Sequence, residues 1–234
     1  MSGHSKWATI KRQKDVKDSK RGALFTRIGN QLAMAARAGS DPSTNPGLAA
    51  AIEKAKSANM PLSNIERAVR RVADKDAAQL EEILYEGYGP AGVAVMVECA
   101  TDNKNRTYPE VKHAFSKFGG SIAEGGSVAF QFERKGVIIV KASGEDALLE
   151  VLEAGVIDAN EEEEIIVAFT EPKELHNVRK KLNNAGLETE SAELSYQPKN
   201  TVEIDEEAST KLEKIIDALE DLQDVVNVSH NAVG

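Results

Sequence analysis

A single cysteine, Cys99, is all the chain has in 234 residues. An intrachain disulfide and a cysteine-based zinc site are therefore both excluded. Cys99 lies in the apolar run 92–99, where a buried thiol is expected rather than a nucleophile. Aromatic residues make up only 5% of the chain, so its cores must be built from Val, Ile, Leu and Ala. No apolar stretch approaches the ~20 residues that a membrane span needs. The start of the chain has no apolar segment of the secretory kind, and Asp15 and Asp18 weigh against a mitochondrial presequence. A cytoplasmic location with no membrane contact is the resulting expectation.

Catalytic constellations are also scarce. The four histidines, His4, His113, His176 and His230, are far apart and lack metal-ligand spacing. No serine elbow, Cys–His arrangement or P-loop is present. Carboxylates abound, but that is what an acidic chain supplies without any specific pairing. Residues Gly87, Gly89 and Gly92 match G-x-G-x-x-G, yet a helix must follow that motif to receive a pyrophosphate. Here the strand-like Val93-Ala-Val-Met-Val97 follows, so a glycine-rich bend is expected. Glu161–Glu164 reads as a solvated hairpin tip rather than a cation loop. Taken together, these features predict no enzyme, metal, cofactor or small-molecule substrate.

What the chain does have is charge, unevenly placed. The net charge is −9, but residues 1–74 hold fourteen Lys/Arg against six Asp/Glu, whereas residues 75–234 hold fifteen against thirty-two. A polyanion-binding end on an acidic body follows from that asymmetry. The cations concentrate in an arm: Lys6, Lys11, Arg12, Lys14, Lys17, Lys20 and Arg21 place seven within sixteen residues. Lys14, Lys17 and Arg21 would share one helix face. Trp7 suits either stacking on a base or anchoring the arm. If five to seven phosphates are contacted, log K should fall with log salt at a slope of roughly −4 to −6.

Behind the arm, Phe25, Ile28, Leu32 and Ala35 recur at helical spacing, which leaves Arg27, Asn30, Gln31 and Arg37 off the apolar stripe. Arg27 thereby joins the candidate nucleic-acid contacts. Asn45-Pro46 starts a second helix with Leu48, Ile52 and Ala55 inward. Ser63-x-x-Glu66 signals a capping box for a third, with Ile65, Val69 and Val72 inward. These helices leave Lys54, Lys56, Arg67, Arg70 and Arg71 to solvent.

From residue 76 the pattern becomes mixed. Residues 92–99 form a strand, Thr107-x-x-Glu110 caps a helix to about Lys117, and strands follow at 121–123 and 128–132. Residues 137–197 then read strand, helix, strand, strand, helix, strand, the ferredoxin-like order. Its short strands fall near 156–157 and 165–169, and its second helix over 172–184. A helix at 206–222 and a strand at 225–228 would complete the first α+β unit. The expected fold class is α+β: an N-terminal helical bundle followed by two ferredoxin-like α+β domains, one inserted in the other. The boundaries are 1–75, then 76–135 with 200–234, then the insert 136–199. The segment Asp102–Thr107, with Lys104 and Arg106, is a secondary anion candidate at a helix N-terminus; turn and capping chemistry is the competing reading.

Several segments together resemble the YebC/PmpR family: Gly3-His-Ser-Lys-Trp7, Asp41-Pro through Asn45-Pro46, Lys54-Ala-Lys through Asn59-Met-Pro61, Asn64-Ile-Glu-Arg67, Tyr85-Glu-Gly-Tyr-Gly-Pro90, Thr101-Asp-Asn through Asn105-Arg-Thr107 and His113–Lys117. That family includes the mitochondrial translational activator of cytochrome c oxidase. The resemblance spans the chain from residue 2 to its end. It implies three domains, the middle one completed by the C-terminus, and a non-enzymatic DNA-binding transcriptional regulator. A ribosome-associated translation factor that binds ribosomal RNA and helps synthesis past difficult peptide sequences is the alternative it implies. The motif positions carry over as an interaction surface, most securely Gly3 to Trp7, which adds His4 to the arm's contacts.

Overall fold

The computed structural model describes residues 21–71 and 80–233. Three helices come first: α1 (Arg21–Ala36), α2 (Pro46–Ser57) and α3 (Leu62–Arg70). They enclose Ile28, Leu32, Ala36, Leu48, Ala55, Met60 and Ile65; of the expected stripe, Phe25, Ala35, Ile52 and Val69 are half-buried against this cluster, and Ala36 and Met60 join it unexpectedly. Asn45 starts α2 as the spacing predicts. Its Oδ1 accepts from Leu48 N at 3.1 Å, and its Nδ2 donates to Ala35 O and Gly39 O, both at 2.7 Å. One buried amide thus caps α2 and closes the end of α1. The capping box at Ser63 is not formed. α3 begins at Leu62 with Pro61 before it and no side-chain cap; the preset φ of proline makes the entry instead. Val72 lies outside the described residues.

The following sheet has the order β3-β1-β2-β9, every neighbouring pair antiparallel. Its strands are β1 (Glu81–Tyr88), β2 (Ala94–Thr101), β3 (Ser121–Ala123) and β9 (Val225–His230). α4 (Lys104–Lys117) and α7 (Glu206–Glu220) pack on one face, where Val95, Val97, Cys99, Val111, Phe115, Leu212, Ile215 and Leu219 form the core. α1 lies against β2 and β9. A two-strand clip, β8 (Val202–Glu203) with β10 (Ala232–Val233), runs parallel near the C-terminus.

This is a ferredoxin-like sheet with an altered chain path. The expected strand at 128–132 does not exist: Ala129–Gln131 is a short 3₁₀ turn, and Phe132 begins the next unit. The vacant third-strand position is taken by β1, which reaches it through a hairpin to β2. Gly87 in β1 is there for space. A Cβ would sit 2.7 Å from the Phe115 ring and from Ser121 O.

Residues 132–199 form a compact unit of their own. It runs β4 (Phe132–Val140), α5 (Glu145–Glu153), β5 (Asp158–Glu162), β6 (Ile165–Thr170), α6 (Leu175–Asn184) and β7 (Thr189–Pro198). The order β5-β6-β4-β7, all antiparallel, is the ferredoxin-like arrangement. Ile138, Val140, Val151, Ile166, Val178 and Leu182 fill the helix-covered side. Val137, Ile139, Val167 and Phe169 are buried on the other. Two details differ from expectation. β5 falls at 158–162 rather than 156–157, so Glu161 and Glu162 are strand residues and only Glu163 and Glu164 make the turn. α6 starts at Leu175, after a turn that follows Pro172.

Candidate nucleic-acid interface

Of the arm's candidate contacts, His4, Lys6, Trp7, Lys11, Arg12, Lys14, Lys17 and Lys20 lie outside the described residues. Arg21 is the first residue of α1. Arg27 requires a correction: its guanidinium Nη2 donates to the backbone carbonyl of Glu220, at the C-terminal end of α7. Burial lowers its pKa, while Glu220 and Asp221 act in the opposite direction. A cation at a helix C-terminus meets the negative end of the helix dipole. The structure uses Arg27 to fasten α1 rather than to display charge.

The rest of that helix face behaves alike. Asn30 Nδ2 lies 3.4 Å from Ala100 O and 3.3 Å from Gln223 O, Gln31 Nε2 lies 3.3 Å from Val226 O, and Arg37 Nη1 lies 3.0 Å from Leu80 O. All four side chains donate to backbone carbonyls of the α+β portion. The polar side of α1 is therefore an internal interface.

Display falls to the last turns of α2 and α3. Lys56, Arg67, Arg70 and Arg71 are exposed. Arg70 pairs with Glu66 at 3.6 Å with its side chain 81% exposed, a contact of small energetic weight. Arg71 reaches Asp102 at 3.6 Å.

The secondary anion candidate is occupied from within. Lys104 Nζ lies 2.6 Å from Glu81 Oε2. Arg106 Nη2 lies 2.7 and 2.9 Å from the two oxygens of Asp224 and 3.1 Å from Asp102 Oδ1. The hydrogen bond to Asp224 is the main reason its pKa is raised. Asn103, not Thr107, caps α4, accepting from Arg106 N at 3.2 Å. Thr107 is buried, its hydroxyl 2.7 Å from both Asp224 Oδ2 and Thr101 Oγ1. Capping and ion pairing account for this segment, and the charges that would meet an anion already face carboxylates.

The glycine motif is a bend. Pro90–Gly92 is a short 3₁₀ turn, Gly89 N donates to Val93 O at 2.7 Å, and β2 follows directly. Cys99 is buried, and desolvation pushes its thiol pKa upward, away from reactivity. Among the described residues no helix is long and apolar enough to cross a membrane.

Two features escape a reading of the sequence. One is the Asp224 cluster with Thr101, Thr107 and Arg106. The other is Glu86, buried in β1. Its Oε1 accepts from Gly126 N at 2.6 Å, and its Oε2 accepts from Val128 N at 2.6 Å and Ala129 N at 2.8 Å. Burial opposes its ionisation, but the three N–H donors outweigh that and hold the carboxyl below its ordinary value. The partners of each acid are remote in the chain, and no local pattern marks them.

Residues 5–75 match the domain family described as TACO1/YebC protein N-terminal domain, and residues 80–232 match TACO1/YebC second and third domain. A protein of Persephonella marina named probable transcriptional regulatory protein is 50% identical over 238 residues, spanning 99% of this chain and 95% of its own length. A protein of the same name from Nitrosococcus oceani is 49% identical over 237 residues, spanning 99% and 96%. The crystal structure of a conserved hypothetical protein from Aquifex aeolicus superposes with a TM-score of 0.87 at 43% identity, over 92% of this chain and 91% of that one. With both of its matched segments and these relatives agreeing along nearly the whole length, the chain belongs to the YebC/TACO1 family.

Proposed function

We propose that this protein is a non-enzymatic regulator of gene expression that binds nucleic acid through its N-terminal basic arm, acting as a DNA-binding transcriptional regulator. The observation that carries the reading is the charge division: seven cations in residues 6–21 precede a strongly acidic body. The relatives' shared name supports regulation. The proposed contacts are His4, Lys6, Trp7, Lys11, Arg12, Lys14, Lys17, Lys20 and Arg21, with Lys56, Arg67 and Arg70 as neighbouring cations of the same N-terminal region. The proposed domains are 1–75, 76–131 with 200–234, and 132–199, the insert starting where β4 starts rather than at 136.

One observation favours a second reading, a cytoplasmic translation factor on ribosomal RNA. The polar face of α1 is engaged by backbone carbonyls of the sheet region, so that helix is not offered to a major groove. Binding led by phosphates and shape suits ribosomal RNA at least as well as a promoter. Ribosome cosedimentation at graded salt, run beside promoter-DNA binding, separates the two. Ribosome association without sequence preference on DNA rejects the transcription reading. A DNA specificity ratio above ~10³ without ribosome association rejects the translation reading.

A further inference from the structure

Residues 132–199 hold fifteen Asp/Glu against eight Lys/Arg, and their two helices divide that charge by sign. α5 carries Glu145, Asp146, Glu150 and Glu153 and no cation. α6 carries Arg179, Lys180 and Lys181 and no acid, and no acid follows it until Glu188. An acidic composition alone would scatter carboxylates over both helices.

The cations of α6 fall into two sets. Arg179 and Lys181 lie on its flanks and are held against the unit. Arg179 Nε donates to Thr189 Oγ1 at 3.1 Å, and Lys181 Nζ donates to Ala154 O at 3.1 Å. At about 3.6 residues per turn, His176, Lys180 and Asn184 share the side opposite the buried Leu175, Val178 and Leu182. Lys173 lies in the turn just before the helix, and all four are exposed. The acid at the helix entry, Glu174, accepts from Asn177 Nδ2 at 3.2 Å. Elsewhere in the α+β portion, Lys104, Arg106, Lys135, Lys141 and Lys211 each meet a carboxylate. Lys173, His176 and Lys180 meet none among the described residues.

The face also lacks an apolar anchor: no large hydrophobic residue of α6 is exposed. A protein partner is held mainly by such anchors. Phosphates are held by cations and by side-chain N–H donors, without reading sequence. We propose that the outward face of α6, with Lys173, His176, Lys180 and Asn184, is a second contact for the phosphate backbone of nucleic acid. This inference rests on the nucleic-acid reading above and extends it from the basic arm to the acidic insert.

The test titrates the full chain at graded salt with a short, fluorescein-labelled DNA duplex and with an RNA hairpin. Neutralising two phosphate contacts in Lys173→Gln/Lys180→Gln should weaken binding and make the salt slope shallower by about 2. The polymer on which this happens is the one that the face contacts. Lys211→Gln/Lys214→Gln on α7 changes the net charge equally and should bind as wild type. Urea midpoints report whether each fold is intact. Wild-type affinity and slope in the α6 variant overturn the proposal. Equal losses in both variants also overturn it, because net charge alone would then be responsible. Competition by poly-glutamate as effective as by unlabelled RNA or DNA overturns it too and assigns the face to acidic protein segments. A wild-type chain that binds neither probe refutes the nucleic-acid reading itself, a different failure.

Discussion

Replacing Glu86 by glutamine changes one atom type and should cost the larger unit about 3 kcal/mol. The carboxylate accepts three backbone N–H bonds at 2.6–2.8 Å. An amide has one oxygen. Placed at the Oε2 position it still accepts from Val128 and Ala129, but its NH₂ then faces the N–H of Gly126, donor against donor. One charge-assisted bond of about 1.5–3 kcal/mol is lost, and two others fall to neutral strength, each worth roughly 0.5–1.5. Each kcal/mol corresponds to about 2–4 °C in a protein of this size, so the midpoint should fall by about 6–12 °C. Calorimetry and urea titration would measure it, with the transition of residues 132–199 as an internal reference. The pH dependence gives a second handle. The folded carboxyl titrates below its ordinary value, so its stabilising contribution is complete above the unfolded value of about 4.3. It is lost as pH falls through the folded value. The gap between wild type and Glu86→Gln should therefore narrow under acid. A loss below about 1 kcal/mol at neutral pH, or a gap as wide in acid as at pH 7, would refute this role of Glu86.

Further outcomes follow from the same geometry. Asp224→Asn sets an amide against the Arg106 guanidinium and two threonine hydroxyls; urea denaturation should show a loss of about 2–4 kcal/mol, by analogy with other broken buried charge pairs. Gly87→Ala drives a methyl into the Phe115 ring and the Ser121 carbonyl, and should cost about 2 kcal/mol by overpacking. The Cys99 thiol, buried with a raised pKa, should react with a thiol reagent only at the rate of unfolding. Fast labelling of the native protein would contradict its burial.

Features that depend on near neighbours in the chain were legible. Asn45-Pro46 announced α2 because an N-cap and its N–H partner lie three residues apart. The insert's β4 and β6 stood out as β-branched runs because both faces are buried. What failed was non-local. β1 begins with two acids and shows no alternation of burial, and it is a strand because β2 and β3 flank it. Residues 128–132 alternate like a strand, but Glu86, more than forty positions earlier, gathers that stretch into a turn. Arg27 lies off the apolar stripe of α1, as the spacing indicates, yet the helix has a second interface. A helical wheel records one buried side, and it cannot show that the polar side also meets backbone carbonyls.

The central claim is that cations of the arm bind phosphate. Its most direct test is the salt dependence of nucleic-acid affinity, measured for wild type and for charge reversal at Lys14, Lys17 and Arg21. Wild type should give a slope of roughly −4 to −6, and the variant should bind more weakly with a slope shallower by about 3. An unchanged affinity and slope in the variant would contradict the claim and move the contact surface elsewhere on the chain.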